Sequence, residues 1–454
     1  MPQLSPESAQ PKIDIILGGS MTTLKTESAH AAQPSTTAKP VKGKTKKSDG
    51  STWTWVITLF GTAVGAGILF LPMDAGSFGF WPLLAGTIII GPLVFYSHRV
   101  FSRVTSASPF KDKDVLQVVS QLLGKTPGTL LAISYWMGIY PVVLIYAISI
   151  TNTVDSFIVN QLNGPEINRT ILSIVCVGIL TGAFALGRKP MLWLSNALVY
   201  PLIISLATVS IYLIPHWDFS GFYETSTFHP WDFLKSLFLI MPVLIFSFSH
   251  EAAMSQFSLD MKKSYGANAE KQVSRVGRIT VFLLVFFTMF FVWSCVLSMG
   301  ADGIKTATEQ NIPVLSYFAN TANAPFMVWI SPIIVLCAII TSYFGHMLGT
   351  EEGTKFLARR IAPKTANRFT DKQLDIATYI FVFITATLVS IFNPSVLDLI
   401  SLVGGVFVAL TVYVMPLFLF RTHENYAKFR GIWSNYFVFT AAIIVIITTI
   451  LDLF

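Results

Sequence analysis

Charged side chains are scarce in this 454-residue sequence: Asp, Glu, Lys and Arg together make up only 12% of it. A water-exposed domain carries about twice that share, so a soluble globular fold is excluded. Cysteine is scarcer still. Cys176, Cys295 and Cys337 each fall inside an apolar stretch, and none sits in a loop where oxidation would pair them, so no disulfide is expected. The chemistry-bearing motifs of enzymes are missing as well. There is no G-x-x-x-x-G-K-[ST] loop, no His/Cys cluster at metal-binding spacing and no nucleophile elbow, and nothing here reads as an enzyme.

What fills the sequence is apolar. Hydrophobic residues make up 53% of it and the mean hydropathy is +0.62. Apolar segments recur at 53–73, 80–97, 128–152, 170–187, 193–214, 233–258, 278–299, 325–346, 376–393, 397–420 and 433–453. Each has about the 17–25 residues that carry a helix across a ~30 Å hydrocarbon layer. The chain therefore reads as an all-α polytopic membrane protein of eleven spans. With the N-terminus inside, every Lys and Arg except Arg169, Lys235 and Lys305 falls on the same side of the membrane. That is the positive-inside pattern. It puts the N-terminus in the cytoplasm and the C-terminus outside. The net charge of +7 thus reports orientation, and no nucleic-acid partner is expected.

Residues 1–50 are rich in Ser, Thr, Pro, Gln and Lys and show no apolar periodicity, which predicts a disordered cytoplasmic tail. Its patch IDIILGG (14–20) is too short for a signal peptide, and Met21 offers an alternative start. Residues 51–454 read as one transmembrane domain, because no loop is long enough to hold another. The segments 98–127 and 346–375 read as basic cytoplasmic connectors.

Two spans differ from the rest. The first contains GTAVGAGILFLP (61–72), with Gly61, Gly65, Gly67 and Pro72 where a helix interior should be. Interior Gly costs a helix roughly 0.5–1 kcal/mol relative to Ala, and Pro about 3. The sixth reads FLIMPVLIFSFSHEAAMSQF, with Ser247, Ser249, His250 and Glu251 at membrane depth. The two lie five spans apart and cross in opposite directions, so they predict two inverted five-helix halves with interrupted helices at matching positions. A broken helix offers free N–H groups at one end, suited to a carboxylate, and free carbonyls at the other, suited to a cation or an ammonium. A small zwitterion fits that pair of ends. Close helix packing through small residues is the alternative reading of the three glycines.

A resemblance adds to this reading. The stretches GTAVGAGILFLPMDAG, IYPVVLIYAISITNTVDSF, MPVLIFSFSH, EQNIPVLSY and SYFGHMLGTEEG occur in the order found in the hydroxy and aromatic amino acid permeases, and are most similar to their serine/threonine permease branch. That family belongs to the amino acid–polyamine–organocation superfamily. The resemblance covers about residues 52–454. It implies a leucine-transporter-type fold, two inverted five-helix repeats plus one extra helix, in a bacterial inner membrane. By position, the backbone of Ala63, Gly65, Ala66 and Gly67 would face the amino acid's carboxylate and ammonium. Ser247, Phe248, Ser249 and His250 would form the opposite wall. Tyr140 is a candidate hydroxyl donor to the carboxylate, or a packing aromatic.

The sequence also departs from that pattern. Related serine permeases carry Lys just before the Ser of S-[FY]-x-G-H, where this chain has Thr341. They have Asn-His-Ser-Pro where it has Ser249, His250, Glu251 and Ala252. One intramembrane cation is missing and one potential anion is added. Sodium-coupled transporters of this fold show A-x-x-T-S and G-x-x-V at a sodium site. The resemblance to them assigns Gly61, Val64, Ala338, Thr341 and Ser342 as oxygen ligands for Na+. Glu251 is assigned to coupling, because a charge at membrane depth is normally paired or functional. His98 and His346 read as interfacial anchors.

The function expected is therefore a secondary active symporter importing a small neutral amino acid, serine or threonine, with sodium favoured over the proton as coupling ion. Proton coupling through Glu251 or His250, an aromatic or other neutral substrate, and an amino acid sensor without flux are the alternatives. A channel would need a polar ring along a pore, whereas the polar groups here gather at one depth. Amino acid and bilayer are the partners expected. No cofactor beyond a coupling Na+ is implied, and the oligomeric state leaves no trace in the sequence.

Overall fold

The computed structural model describes residues 49–220, 229–321 and 325–452. Of the predicted tail, Asp49 and Gly50 open the first helix, and the remainder lies outside the described residues. Among the described residues there is no strand. Nine helices among the described residues are long and apolar enough to cross a membrane. A tenth span is the bent pair Thr52–Ala63 and Ala66–Ser77, whose halves meet at 52°. The apolar helix Arg169–Ala185, at 17 residues, is shorter than these and stands where the fourth of the eleven expected spans falls.

In chain order the spans are Asp49–Ala63 with Ala66–Ser77 (span 1), Phe80–Ser106 (2), Lys125–Ser156 (3), Arg169–Ala185 (4), Arg188–Leu213 (5) and Pro230–Phe248 with Glu251–Tyr265 (6). They continue as Ala269–Glu309 (7), Pro325–Ile361 (8), Asp371–Phe392 (9), Val396–Leu402 running on to Thr422 (10) and Trp433–Asp452 (11). Spans 1 and 6 are interrupted where the sequence placed the interruptions. Gly65 is extended (φ −148°, ψ −147°) and its side of the break is a matter of space. A Cβ there would lie 2.5 Å from Ser342 Oγ and 2.6 Å from Tyr146 OH, so only glycine lets spans 1, 3 and 8 meet. In span 6, Ser249 is extended (φ −74°, ψ 136°) between the two half-helices.

The other two glycines of the motif serve packing. A Cβ on Gly67 would stand 2.8 Å from Ser247 Cα, and one on Gly61 would run into Val199 of span 5. Gly67 lies in the regular part of Ala66–Ser77, so its role is the close approach of spans 1 and 6. Span 10 passes through a wide-turned π-helical run, Val403–Val414, opened by Gly404 and Gly405. Gly404 lets it lie against Phe246 of span 6, and Gly405 against Thr449 of span 11.

Two features outside the spans position the rest. The connector after span 2 is not plain loop: Val115–Leu123 is a helix. Asp114 Oδ1 caps it by accepting the Gln117 N–H at 2.7 Å. Beyond span 7, the chain turns at Asn311, which is left-handed (φ 52°), and runs into the short helix Val314–Thr321. Asn152 of span 3 donates through Nδ2 to Asn311 O (2.9 Å) and to Asn393 Oδ1 (3.1 Å). Asn311 Nδ2 donates to Asn393 Oδ1 and to Pro394 O. Arg169 donates to Asn152 Oδ1 (2.7 Å) and to Ser390 O (2.8 Å). These bonds tie the span 7–8 connection to spans 3, 4, 9 and 10.

Candidate substrate and ion site

A small cavity of about 10 Å³ lies between the two breaks. Thr62 and Ala63 line it from span 1, Gly138, Val142 and Tyr146 from span 3, and Phe246, Ser249 and Glu251 from span 6. His346 of span 8 and Val408 of span 10 close it. A space of that size holds about one water, so the walls must part to seat an amino acid.

On the span 1 side, the inner half-helix ends with carbonyls that have no helical partner. Ser342 Oγ donates towards three of them, Val64 O at 2.8 Å, Gly61 O at 3.1 Å and Thr62 O at 3.4 Å. The next residue back, Thr341, donates from Oγ1 to Ala338 O at 3.1 Å. One hydroxyl hydrogen facing three carbonyl oxygens leaves acceptors in excess. All the donor atoms are hard oxygens, and the chemistry of the set fits an alkali cation. Ala338, Thr341 and Ser342 are all buried. Tyr146 lies edge-on to His346 with ring centroids 5.5 Å apart.

On the span 6 side, Glu251 is the first residue of the inner half-helix. It is 3% exposed, and its Oε2 has no hydrogen-bond partner among the described residues. Span 3 makes room for the carboxylate with Gly138, where a Cβ would stand 3.1 Å from Glu251 Oε1. The free amide at the start of that half-helix is met from span 2. His98 Nδ1 lies 3.0 Å from Val94 O. A carbonyl only accepts, so this nitrogen carries the hydrogen and Nε2 is the acceptor. His98 Nε2 then accepts the His250 N–H at 3.2 Å. The two imidazoles stack at 4.0 Å, and His250 Nδ1 donates to Phe248 O at 3.1 Å. His98 acts as a side-chain cap supplied by a neighbouring helix.

Several sequence expectations move. Ala63, Ser249 and Glu251 line the cavity, and Gly65 and Ala66 stand at the break beside it. Ser247 and Phe248 are fully buried behind it, Ser247 against Gly67. His250 turns away onto His98. Tyr140 does not reach the cavity. It stacks on Trp136 at 4.4 Å and bonds Thr385 of span 9, while Tyr146, six residues on, takes the place at the break. His98 and His346 are not interfacial anchors: they are 3% and 7% exposed at the heart of the bundle. Spans 2 and 8 run on to Ser106 and Ile361. The apolar runs alone end at 97 and 346, which places both histidines at the rim.

Two broken helices facing one another around a buried polar cavity, in an apolar bundle of this order, define a membrane transporter of the leucine-transporter-type fold, not an enzyme. The chain matches the amino acid permease family over residues 51–453 and belongs to it, on its serine/threonine permease branch. It is 33% identical over 404 residues to the serine transporter SdaC of Escherichia coli (strain K12), spanning 88% of this chain and 94% of that protein. The serine transporter SdaC of Shigella flexneri is similar to the same extent. Among solved structures, MhsT in complex with L-phenylalanine superposes with a TM-score of 0.60 at 14% identity, over 88% of this chain and 97% of that one. A manganese transporter from Eremococcus coleocola gives 0.56 at 14% identity, over 88% and 85%. At such identity the likeness to these two is one of fold. The protein transports amino acids across the bacterial inner membrane.

Proposed function

We propose that this permease is a cation-coupled symporter that imports serine or threonine, with sodium as the coupling ion. The observation that carries the reading is the convergence of Gly61 O and Val64 O on Ser342 Oγ, next to Thr341. The cation would take the place of the shared hydroxyl hydrogen and satisfy the surplus of acceptors. The serine transporters that the chain resembles support the substrate.

In this reading, the N–H groups at the start of Ala66–Ser77 and the Tyr146 hydroxyl receive the substrate carboxylate. The carbonyls around Ala63 and the span 6 break receive its ammonium. Ion and amino acid then bind to opposite faces of one interrupted helix. Each raises the other's affinity by the same factor. Spans 1 and 6 swing against the scaffold to expose the site to one side and then the other. In this reading the N-terminus lies in the cytoplasm and the C-terminus outside, which the distribution of basic residues supports.

One observation favours the proton as the coupling ion: the buried Glu251 carboxylate, with Oε2 unpartnered at the cavity. Uptake of labelled serine into proteoliposomes, with the sodium and proton gradients imposed separately, decides between them. Sodium coupling requires accumulation under the sodium gradient alone and at least a tenfold weaker sodium dependence in Thr341→Ala. Accumulation under the proton gradient alone, abolished in Glu251→Gln, makes Glu251 the coupling group. Binding without accumulation under either gradient would identify a sensor.

A further inference from the structure

We propose that His346 is the specificity-determining residue for the substrate side chain: its Nε2 accepts a hydrogen bond from a β-hydroxyl, which is how serine is told from alanine. The inference rests on the serine reading above and names the group that enforces it.

His346 lies one turn beyond Ser342 in span 8 and forms part of the cavity wall. Its Nδ1 lies 2.9 Å from Ser342 O. Because that carbonyl can only accept, the hydrogen sits on Nδ1, and Nε2 is left as a bare lone pair. No described group donates to Nε2. The Tyr146 ring lies edge-on at 5.5 Å and fixes the imidazole plane. The ring is therefore locked in orientation and in tautomer, with its one free valence an acceptor.

The other polar groups on the wall suit the task less well. Thr62 Oγ1 gives its hydrogen to Thr58 O at 2.8 Å. Ser249 Oγ stands 3.5 Å from His98 Nε2, beside the cap of the inner half-helix. Glu251 lines the same cavity with its Oε1 beside Gly138 of span 3, and its carboxylate is the group weighed above for coupling. His346 is the acceptor at the level of the span 1 break, where the amino acid's backbone is held.

A hydroxyl donating to Nε2 completes the pairing, whereas a methyl group leaves a buried acceptor without a partner. Sites built to bond a hydroxyl reject analogues that lack it far more strongly than apolar pockets reject a missing methylene. Ser342 supplies both the carbonyl that holds His346 and the hydroxyl that faces the Gly61 and Val64 carbonyls. Side-chain recognition and the cation site thus share one residue.

The test is uptake of labelled L-serine and L-alanine into proteoliposomes by the wild type, His346→Leu and His346→Gln. The wild type should favour serine over alanine at least tenfold in kcat/KM. His346→Leu should lose that preference through a tenfold or greater fall in the serine-to-alanine ratio of kcat/KM, with an unchanged elution profile in detergent reporting an intact fold. His346→Gln, which keeps an acceptor, should recover most of the preference. Serine and alanine falling together in both variants overturns the inference, as does an unchanged ratio in His346→Leu. A wild type that takes up alanine as well as serine overturns it too, yet leaves the transport reading standing. A wild type that takes up neither defeats both.

Discussion

Gly65 shows most plainly what a single residue does in this molecule. Its backbone is extended and needs no glycine for its angles; the space beside it does. Adding one methyl group would force apart Ser342 Oγ and Tyr146 OH, 2.5 and 2.6 Å from the new atom. Both are fixed on long packed helices, so neither can swing clear as a surface side chain would. Overpacking of this kind typically costs 1–3 kcal/mol, and here the cost falls on the binding geometry. Gly65→Ala should remain folded in detergent and lose more than 90% of serine uptake, read in the same vesicles as the wild type. Retention of half the uptake would show that the three helices part easily. Gly182, where a Cβ would meet nothing within 4 Å, is the control: Gly182→Ala should transport normally.

At the scale of elements, the interruptions of spans 1 and 6 were legible from glycines, polar residues and spacing alone. The elements that escaped were those whose signal is weak or displaced. Val115–Leu123 lies in a stretch whose basic character masked its apolar face. Spans 2 and 8 were cut short because Arg99, Arg103 and the Glu351–Lys355 pair resemble the end of a hydrophobic run. In the structure Arg103 pairs with Glu270 at 2.8 Å and Lys355 with Glu351 at 2.8 Å, Arg99 lies over the Phe95 ring, and the helices continue. Tyr140 and Tyr146 lie on the same apolar helix, and span 3 is buried on most of its circumference, so periodicity alone could not say which tyrosine faces the cavity. The His98 cap joins residues more than a hundred and fifty apart, beyond any local pattern.

The connector helix carries its own pH dependence. Burial raises the Asp114 carboxyl above its usual value, against the lowering by the Gln117 N–H and by Glu352. A carboxyl raised in the fold favours the folded state below its unfolded pKa. That contribution is lost as the pH climbs through the raised value. The wild type should therefore lose thermal stability between about pH 4 and the raised value, in detergent at fixed salt. Asp114→Asn keeps the N-cap, since Asn caps a helix about as well as Asp, and should flatten that slope. An identical slope in the variant would place the titration elsewhere.

At the scale of the whole molecule, a cluster of amides holds one end of the bundle together. Asn152, Asn311 and Asn393 knit the span 7–8 connection to the scaffold with the help of Arg169. Each bond is worth about 0.5–1.5 kcal/mol net, enough together to set which side of the membrane the site faces at rest. Asn152→Ala should shift the population outward. A cysteine introduced at Val142, on the cavity wall, should then react several-fold faster with a membrane-impermeant thiol reagent added from outside. Equal rates in the two backgrounds would show that the closure is held elsewhere.

The cavity admits hardly more than a water, and this turns substrate choice into a question of timing. An amino acid enters while the walls are apart, and is judged when they try to meet again. A side chain that fits the open form but not the closed one will occupy the site and stall the cycle there. Phenylalanine should accordingly inhibit serine uptake competitively without being carried itself, and preloaded vesicles should show it failing to exchange. The chain would then owe its selectivity less to how tightly it grips its cargo than to which guests let it finish a turn.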